Sequence, residues 1–160
     1  LRSNAQVAVD GAGEAAMTDA SPLPDGLALR LPHSIQIACA SNHGERLDGH
    51  FGSCARFLIY QVSATEARLI AVRPAPAVTR LSVDHSAERV ALISDCDLLC
   101  VLSIGGPAAA RVVNSGVHPF KRPQAEDISA LLRELQSVLA GHPPPWLARI
   151  MSHTIPEDIL

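Results

Sequence analysis

The sequence predicts an α/β domain with a mixed sheet of five strands flanked by helices, and three observations carry that expectation. Ile35-Gln36-Ile37-Ala38-Cys39-Ala40 and Leu98-Leu99-Cys100-Val101-Leu102-Ser103-Ile104 are compact apolar runs. The second has no alternation, the pattern of a strand covered on both faces. Arg56 to Val62 and Ala67 to Arg73 are separated by a short polar turn around Ser63, Ala64 and Thr65, which makes them an antiparallel hairpin. Ile128, Leu131, Leu132, Leu135, Val138 and Leu139 recur at helical spacing between about Glu126 and Ala140, with Gly141 as the stop.

Taken in order, residues 1–33 read as a linker or mobile arm, because they are rich in Ala, Gly, Asp and Ser and keep no period. Leu27, Leu29 and Leu31 alternate, so the arm is expected to end as a short extended piece closed by Pro32. The folded domain is expected over residues 34–153, with a tail at 154–160. After the hairpin, Pro74 and Pro76 end the strand run, since proline cannot donate to a ladder. Asp84 is placed to cap a helix whose inward stripe is Ala87, Val90 and Ala91. Gly105-Gly106-Pro107 precedes a helix from Ala108 to Asn114, ended by Gly116. A brief strand from Val117 to Phe120 and the long helix follow, and Pro143-Pro144-Pro145-Trp146 gives a stiff turn into a short amphipathic helix ending near Met151. The helical crossover before Leu98 makes that strand parallel to the first, with a right-handed connection. Their carboxyl ends then share one edge, where ligands of open α/β sheets bind.

Composition narrows the function classes. A chain of 160 residues with 48% hydrophobic and 3% aromatic content supports one domain with an aliphatic core. A formal charge of −3 and the lack of any Lys/Arg run argue against nucleic acid as a partner. Cys39, Cys54, Cys96 and Cys100 show no C-x-x-C spacing, so a reducing, cytoplasmic setting is expected, with thiols behaving as small buried hydrophobes. No apolar stretch approaches the roughly 20 residues of a membrane span, and no signal-peptide layout is present. The chain begins at Leu1, which suggests a fragment of something longer, with Met17 as an alternative true start.

The chemistry concentrates in Ser41-Asn42-His43-Gly44-Glu45-Arg46-Leu47-Asp48-Gly49-His50-Phe51-Gly52, too long and too rich in polar groups for a simple hairpin connection. His43 and His50 are candidate metal ligands on a glycine-bearing loop, with both being plain polar loop residues as the alternative. Two histidines do not complete a structural zinc site, so the pattern fits a bulky, partly pre-coordinated metal species better than a closed cage. Arg46 and the amides at the start of the helix after Gly106 can counter a negative ligand. Asp48 is expected to make a turn bond to backbone, Phe51 to anchor the loop by packing, and Cys54 to be buried. His33, His85, His118, His142 and His153 lie apart and read as solvent-facing or capping. An enzyme is poorly supported: the chain has no G-x-S-x-G elbow, P-loop or H-E-x-x-H, and only Asp48, Asp95 and Asp97 sit where a hydrolase in such a sheet needs acids.

The strand Ile35 to Ala40, then Arg46-Leu47-Asp48-Gly49-His50-Phe51-Gly52, then Arg56-Phe57-Leu58-Ile59-Tyr60 resembles the dinitrogenase iron-molybdenum cofactor family, which includes NifX, NifY and NafY. Ser94-Asp95-Cys96-Asp97, Ile104-Gly105 and the ending Pro143-Pro144-Pro145-Trp146-Leu147 match as well, so the likeness covers about Ser34 to Met151 and is greatest to the NafY and NifY core domain. The resemblance implies a ribonuclease H-like mixed sheet. It also implies a non-catalytic carrier that binds the iron-molybdenum cofactor or its precursor iron-sulfur cluster transiently. Such a carrier assists delivery to apo-dinitrogenase, alongside cofactor-assembly proteins. His50 aligns with the family histidine and becomes the first choice of cluster ligand, with His43 second and outside the shared H-F-G element. The alternatives are an interaction module that stabilises apo-dinitrogenase without metal contact, or a ribonuclease H-like metal-dependent nuclease.

Overall fold

Strand β1, Ile35–Ser41, is buried along its whole length, as a run without exposed polar positions demands. The computed structural model describes residues 31–76 and 85–152. The expected arm up to Arg30, the cap at Asp84, His153 and the tail therefore lie outside the described residues. Strand β2, Arg46–Leu47, follows the histidine-bearing segment. Strands β3, Arg56–Val62, and β4, Ala67–Pro74, form the expected hairpin. Helix α1, His85–Ile93, leads to β5, Leu98–Val101. Helix α2, Gly106–Asn114, leads to β6, His118–Lys121. A second two-residue strand, β7, Glu126–Asp127, runs into α3, Ile128–Ala140, and α4, Pro145–Ser152, closes the described chain.

The five-stranded sheet has the order β4-β3-β1-β5-β6. Strand β1 is antiparallel to β3 and parallel to β5, and β5 is parallel to β6. The carboxyl ends of β1 and β5 thus lie at one edge, as the crossover argument requires. One apolar layer packs α3 and α4 on Ile35, Ile37, Cys39, Leu58 and Tyr60. The opposite layer seats Ile93 and Val112, from α1 and α2, on Ala38, Ala40, Phe57, Ile59 and Leu99.

Three expectations are corrected. The apolar run from Leu98 stays in the ladder only to Val101, because Leu102 bonds instead to the histidine loop. Val138 is exposed and lies outside the buried stripe of α3, which is Ile128, Leu131, Leu132, Leu135 and Leu139. Ala87 and Ala91 face solvent, and the inner side of α1 is filled by Arg89 and Ile93. Strand β4 ends at proline as expected, with Pro74 as its last residue, on an edge strand where a missing N–H costs no ladder bond.

The edge strand is tied to the α1 side by a two-toothed ion pair. Arg73 Nη1 and Nη2 donate to Asp95 Oδ1 and Oδ2 at 2.7 and 2.9 Å, and Nη1 also reaches Leu92 O at 2.7 Å. Partial burial opposes ionisation of Asp95, but the Arg73 bonds and charge outweigh it and hold the carboxyl below its usual range. A depressed folded-state pKa gives stability that is present above the unfolded value and lost as pH falls through the folded one. Asp95→Asn is therefore expected to lower the urea midpoint at pH 7 and to shrink the drop between pH 7 and about pH 2.5, compared with the unaltered protein. An undiminished acid drop in the variant would show that other carboxylates carry it.

Candidate functional site

The histidine loop is built by the backbone bonds that fold it back onto the sheet. Beyond β1, Asn42 and Asp48 lace its base: Asn42 N–H donates to Asp48 Oδ1 at 2.6 Å, Asn42 Nδ2 to Asp48 O at 3.1 Å, and Ala55 N–H to Asn42 Oδ1 at 2.9 Å. Gly44 sits at φ +52°, a left-handed turn that glycine adopts without a Cβ penalty. The chain then runs out to β2, which pairs with β7 through Arg46↔Asp127 and Leu47↔Glu126. On the return, Gly49 N–H donates to Ala40 O at 3.2 Å, and Leu102 N–H to Gly49 O at 3.0 Å. Phe51 N–H donates to Ser103 O at 2.9 Å. The loop is thereby fastened between the ends of β1 and β5. Leu47 belongs to the α3 layer and Phe51 and Cys54 to the opposite one, so the segment straddles the sheet edge.

At the crest, His50 is exposed, with Nδ1 2.7 Å from Ser103 Oγ. Its carbonyl accepts from Cys54 N–H at 2.9 Å and Ser53 N–H at 3.2 Å, so the residue starts a tight turn. In the tautomer that donates Nδ1–H to the hydroxyl, Nε2 keeps a lone pair for a ligand, and the Ser103 contact orients the ring. Phe51 is 1% exposed and meets Phe57 at a ring-centroid distance of 5.7 Å, and Cys54 is 1% exposed. Both are the packing residues the sequence suggested. Burial pushes the Cys54 thiol up in pKa, against the pull of Arg89.

His43 and Arg46 share the loop, and each has one side-chain nitrogen engaged by a carboxylate. His43 Nδ1 lies 2.8 Å from Asp48 Oδ2, with the imidazole 83% exposed. Burial opposes ionisation of Asp48, but the Asn42 amide and His43 hold its carboxyl below the usual range. The backbone bond expected of Asp48 is present, with an imidazole added. Arg46 Nη1 is paired with Asp127 Oδ1 at 2.7 Å, and the two side chains are 46% and 67% exposed. Its charge is already balanced.

Among the described residues no group of three His, Cys, Asp or Glu side chains is placed to hold a metal ion. The arrangement offers one outward imidazole at His50, and a second, separately tethered, at His43. Such a donor set suits a preformed metal-sulfur species that needs one exchangeable ligand, and it does not suit a bare ion that needs a cage. The start of α2 lies beyond β5 at the same edge. Its cap residue Gly105 is extended and makes no side-chain cap bond, which leaves amides for an anion.

Two residues of this site were not found from sequence. Ser103 was read as part of a strand, and its contact with His50 depends on β5 ending early. Arg89 is 1% exposed beneath the loop, where Nη1 donates to Phe51 O and Cys54 O, each at 3.0 Å, and Nη2 to Pro76 O at 3.0 Å. Nothing in the residue pattern of α1 marked it.

Residues 33–138 match the family model described as dinitrogenase iron-molybdenum cofactor. The chain is 55% identical over 118 residues to protein NifY of Azotobacter vinelandii, covering 74% of this chain and 48% of that protein. It is 37% identical over 123 residues to protein NifX of Rhodobacter capsulatus, covering 73% of this chain and 77% of that one. The chain therefore spans about half the length of that NifY and most of that NifX. The crystal structure of PH0822 superposes with a TM-score of 0.53 at 14% identity, over 64% of this chain and 91% of that one, a likeness of fold.

Proposed function

Because the chain belongs to the dinitrogenase iron-molybdenum cofactor family, we propose that this domain is a non-catalytic carrier in the making of nitrogenase. It takes up the iron-molybdenum cofactor or its precursor cluster and passes it toward apo-dinitrogenase, in company with cofactor-assembly proteins. The observation that carries this reading is the exposed His50 imidazole, held through Nδ1 by Ser103 at the edge where β1 and β5 end. One imidazole grips a metal site of the cluster reversibly, whereas a full protein ligand set would trap it. His43, steadied by Asp48, is the second contact, and Arg46 stands on the same loop with its charge shared with Asp127. The strand order β4-β3-β1-β5-β6, with its antiparallel first three strands, supports the ribonuclease H-like description of the fold.

The test is direct. Purified protein mixed anaerobically with isolated iron-molybdenum cofactor and passed over a sizing column is expected to carry iron and molybdenum in its own peak. Metal that elutes wholly apart from the protein would overturn the carrier reading in favour of an interaction module without metal contact.

A further inference from the structure

Resting on the carrier reading, we infer that Arg89 supplies the counter-charge for an anionic cluster, in place of Arg46, the arginine that the sequence pointed to. The argument is one of charge balance. Arg46 is neutralised by Asp127 at the surface. Arg89 is buried beneath the turn that starts at His50, and its hydrogen bonds go to the carbonyls of Phe51, Cys54 and Pro76 and to Cys54 Sγ at 3.4 Å. None of these groups is a carboxylate. Carbonyl dipoles satisfy the Nη donors but carry no net charge, and among the described residues Arg89 Nε has no hydrogen-bond partner.

A guanidinium keeps its proton inside a protein, so among the described residues a full positive charge stands under the loop with no carboxylate bonded to it. An unpaired buried charge is costly to hold. The turn above the guanidinium begins at His50, whose side chain is exposed. An anion seated there feels Arg89 through a layer that salt screens poorly, without meeting the guanidinium and without being trapped by direct bonds to it. The residue thus sets a preference for negative guests at the imidazole while leaving release easy. It is a specificity-determining residue that acts through the field, and it touches the guest nowhere.

The experiment removes the charge in two independent ways and reads the affinity for isolated iron-molybdenum cofactor in an anaerobic titration. Cys54→Asp sets a carboxylate against Arg89 and keeps the guanidinium in place. It is expected to weaken binding about tenfold, whereas Cys54→Ser, matched in size and neutral, keeps the affinity of the parent. Arg89→Gln is expected to weaken binding by a similar factor, with a smaller loss in Arg89→Lys. Thermal unfolding of each variant and the imidazole ¹⁵N shifts of His50 report whether the loop has kept its place. A folded Cys54→Asp protein that binds as tightly as the parent overturns the inference. So does a Cys54→Ser loss as large as that of Cys54→Asp, which would make the thiol itself the contact. If Arg89→Gln does not fold, the Cys54 pair decides the matter. Failure of the unaltered protein to bind cofactor at all would instead strike the carrier reading.

Discussion

His50→Ala is expected to lower affinity for isolated iron-molybdenum cofactor by about a hundredfold or more, since it removes the first-choice metal-bonding atom where loss of an outer-shell partner alone costs about 10–100-fold. The same change should move stability by no more than about 0.5 kcal/mol, the usual range for a surface side chain. The two expectations separate because the ring and the loop are held by different forces. The ring is exposed and contributes one side-chain contact, to Ser103. The loop is held by backbone bonds from Gly49 to Ala40, from Leu102 to Gly49 and from Phe51 to Ser103, and by the burial of Phe51, all of which alanine leaves intact. Titration with cofactor and a urea unfolding curve on one preparation check both halves. Undiminished binding by His50→Ala would shift the metal contact to His43, whose ring is the other exposed imidazole of this loop.

The strands were legible because burial on both faces leaves a plain mark in sequence: β1 has no exposed residue to interrupt it. The hairpin was legible because its turn is short. Helix α3 showed its stripe, except at Val138, which spacing alone cannot distinguish from a buried neighbour at the rim. The β2–β7 pairing was not legible, since two strands of two residues each carry no period. That pairing is what commits Arg46 to Asp127 and so removes it as a free cation. Arg89 was missed for a related reason. Sequence patterning places charged residues outside, and a guanidinium whose Nη atoms donate to loop carbonyls appears only when the loop and the helix are seen packed together. The position of His50 was readable, but its orientation was not, because that depends on where β5 stops.

Gly49→Ala is expected to damage both the fold and the site, in contrast to the alanine one position later. A Cβ built at Gly49 would lie 2.6 Å from Cys54 Cβ and 3.0 Å from the carbonyl carbon of Ala40. The first distance is too short for carbon atoms, and neither neighbour can swing aside. Ala40 belongs to the central strand, which is paired on both sides, and Cys54 is itself buried. The strain must therefore be relieved by lifting the loop, which stretches the Gly49–Ala40 and Leu102–Gly49 bonds and carries His50 away from Ser103. Overpacking of this kind costs about 1–3 kcal/mol. The expected result is a lower urea midpoint together with weaker cofactor binding, although the imidazole is still in the chain. Binding lost with stability unchanged would mean that the loop had room to move, and that the fastening described between β1 and β5 is not what sets the imidazole in place.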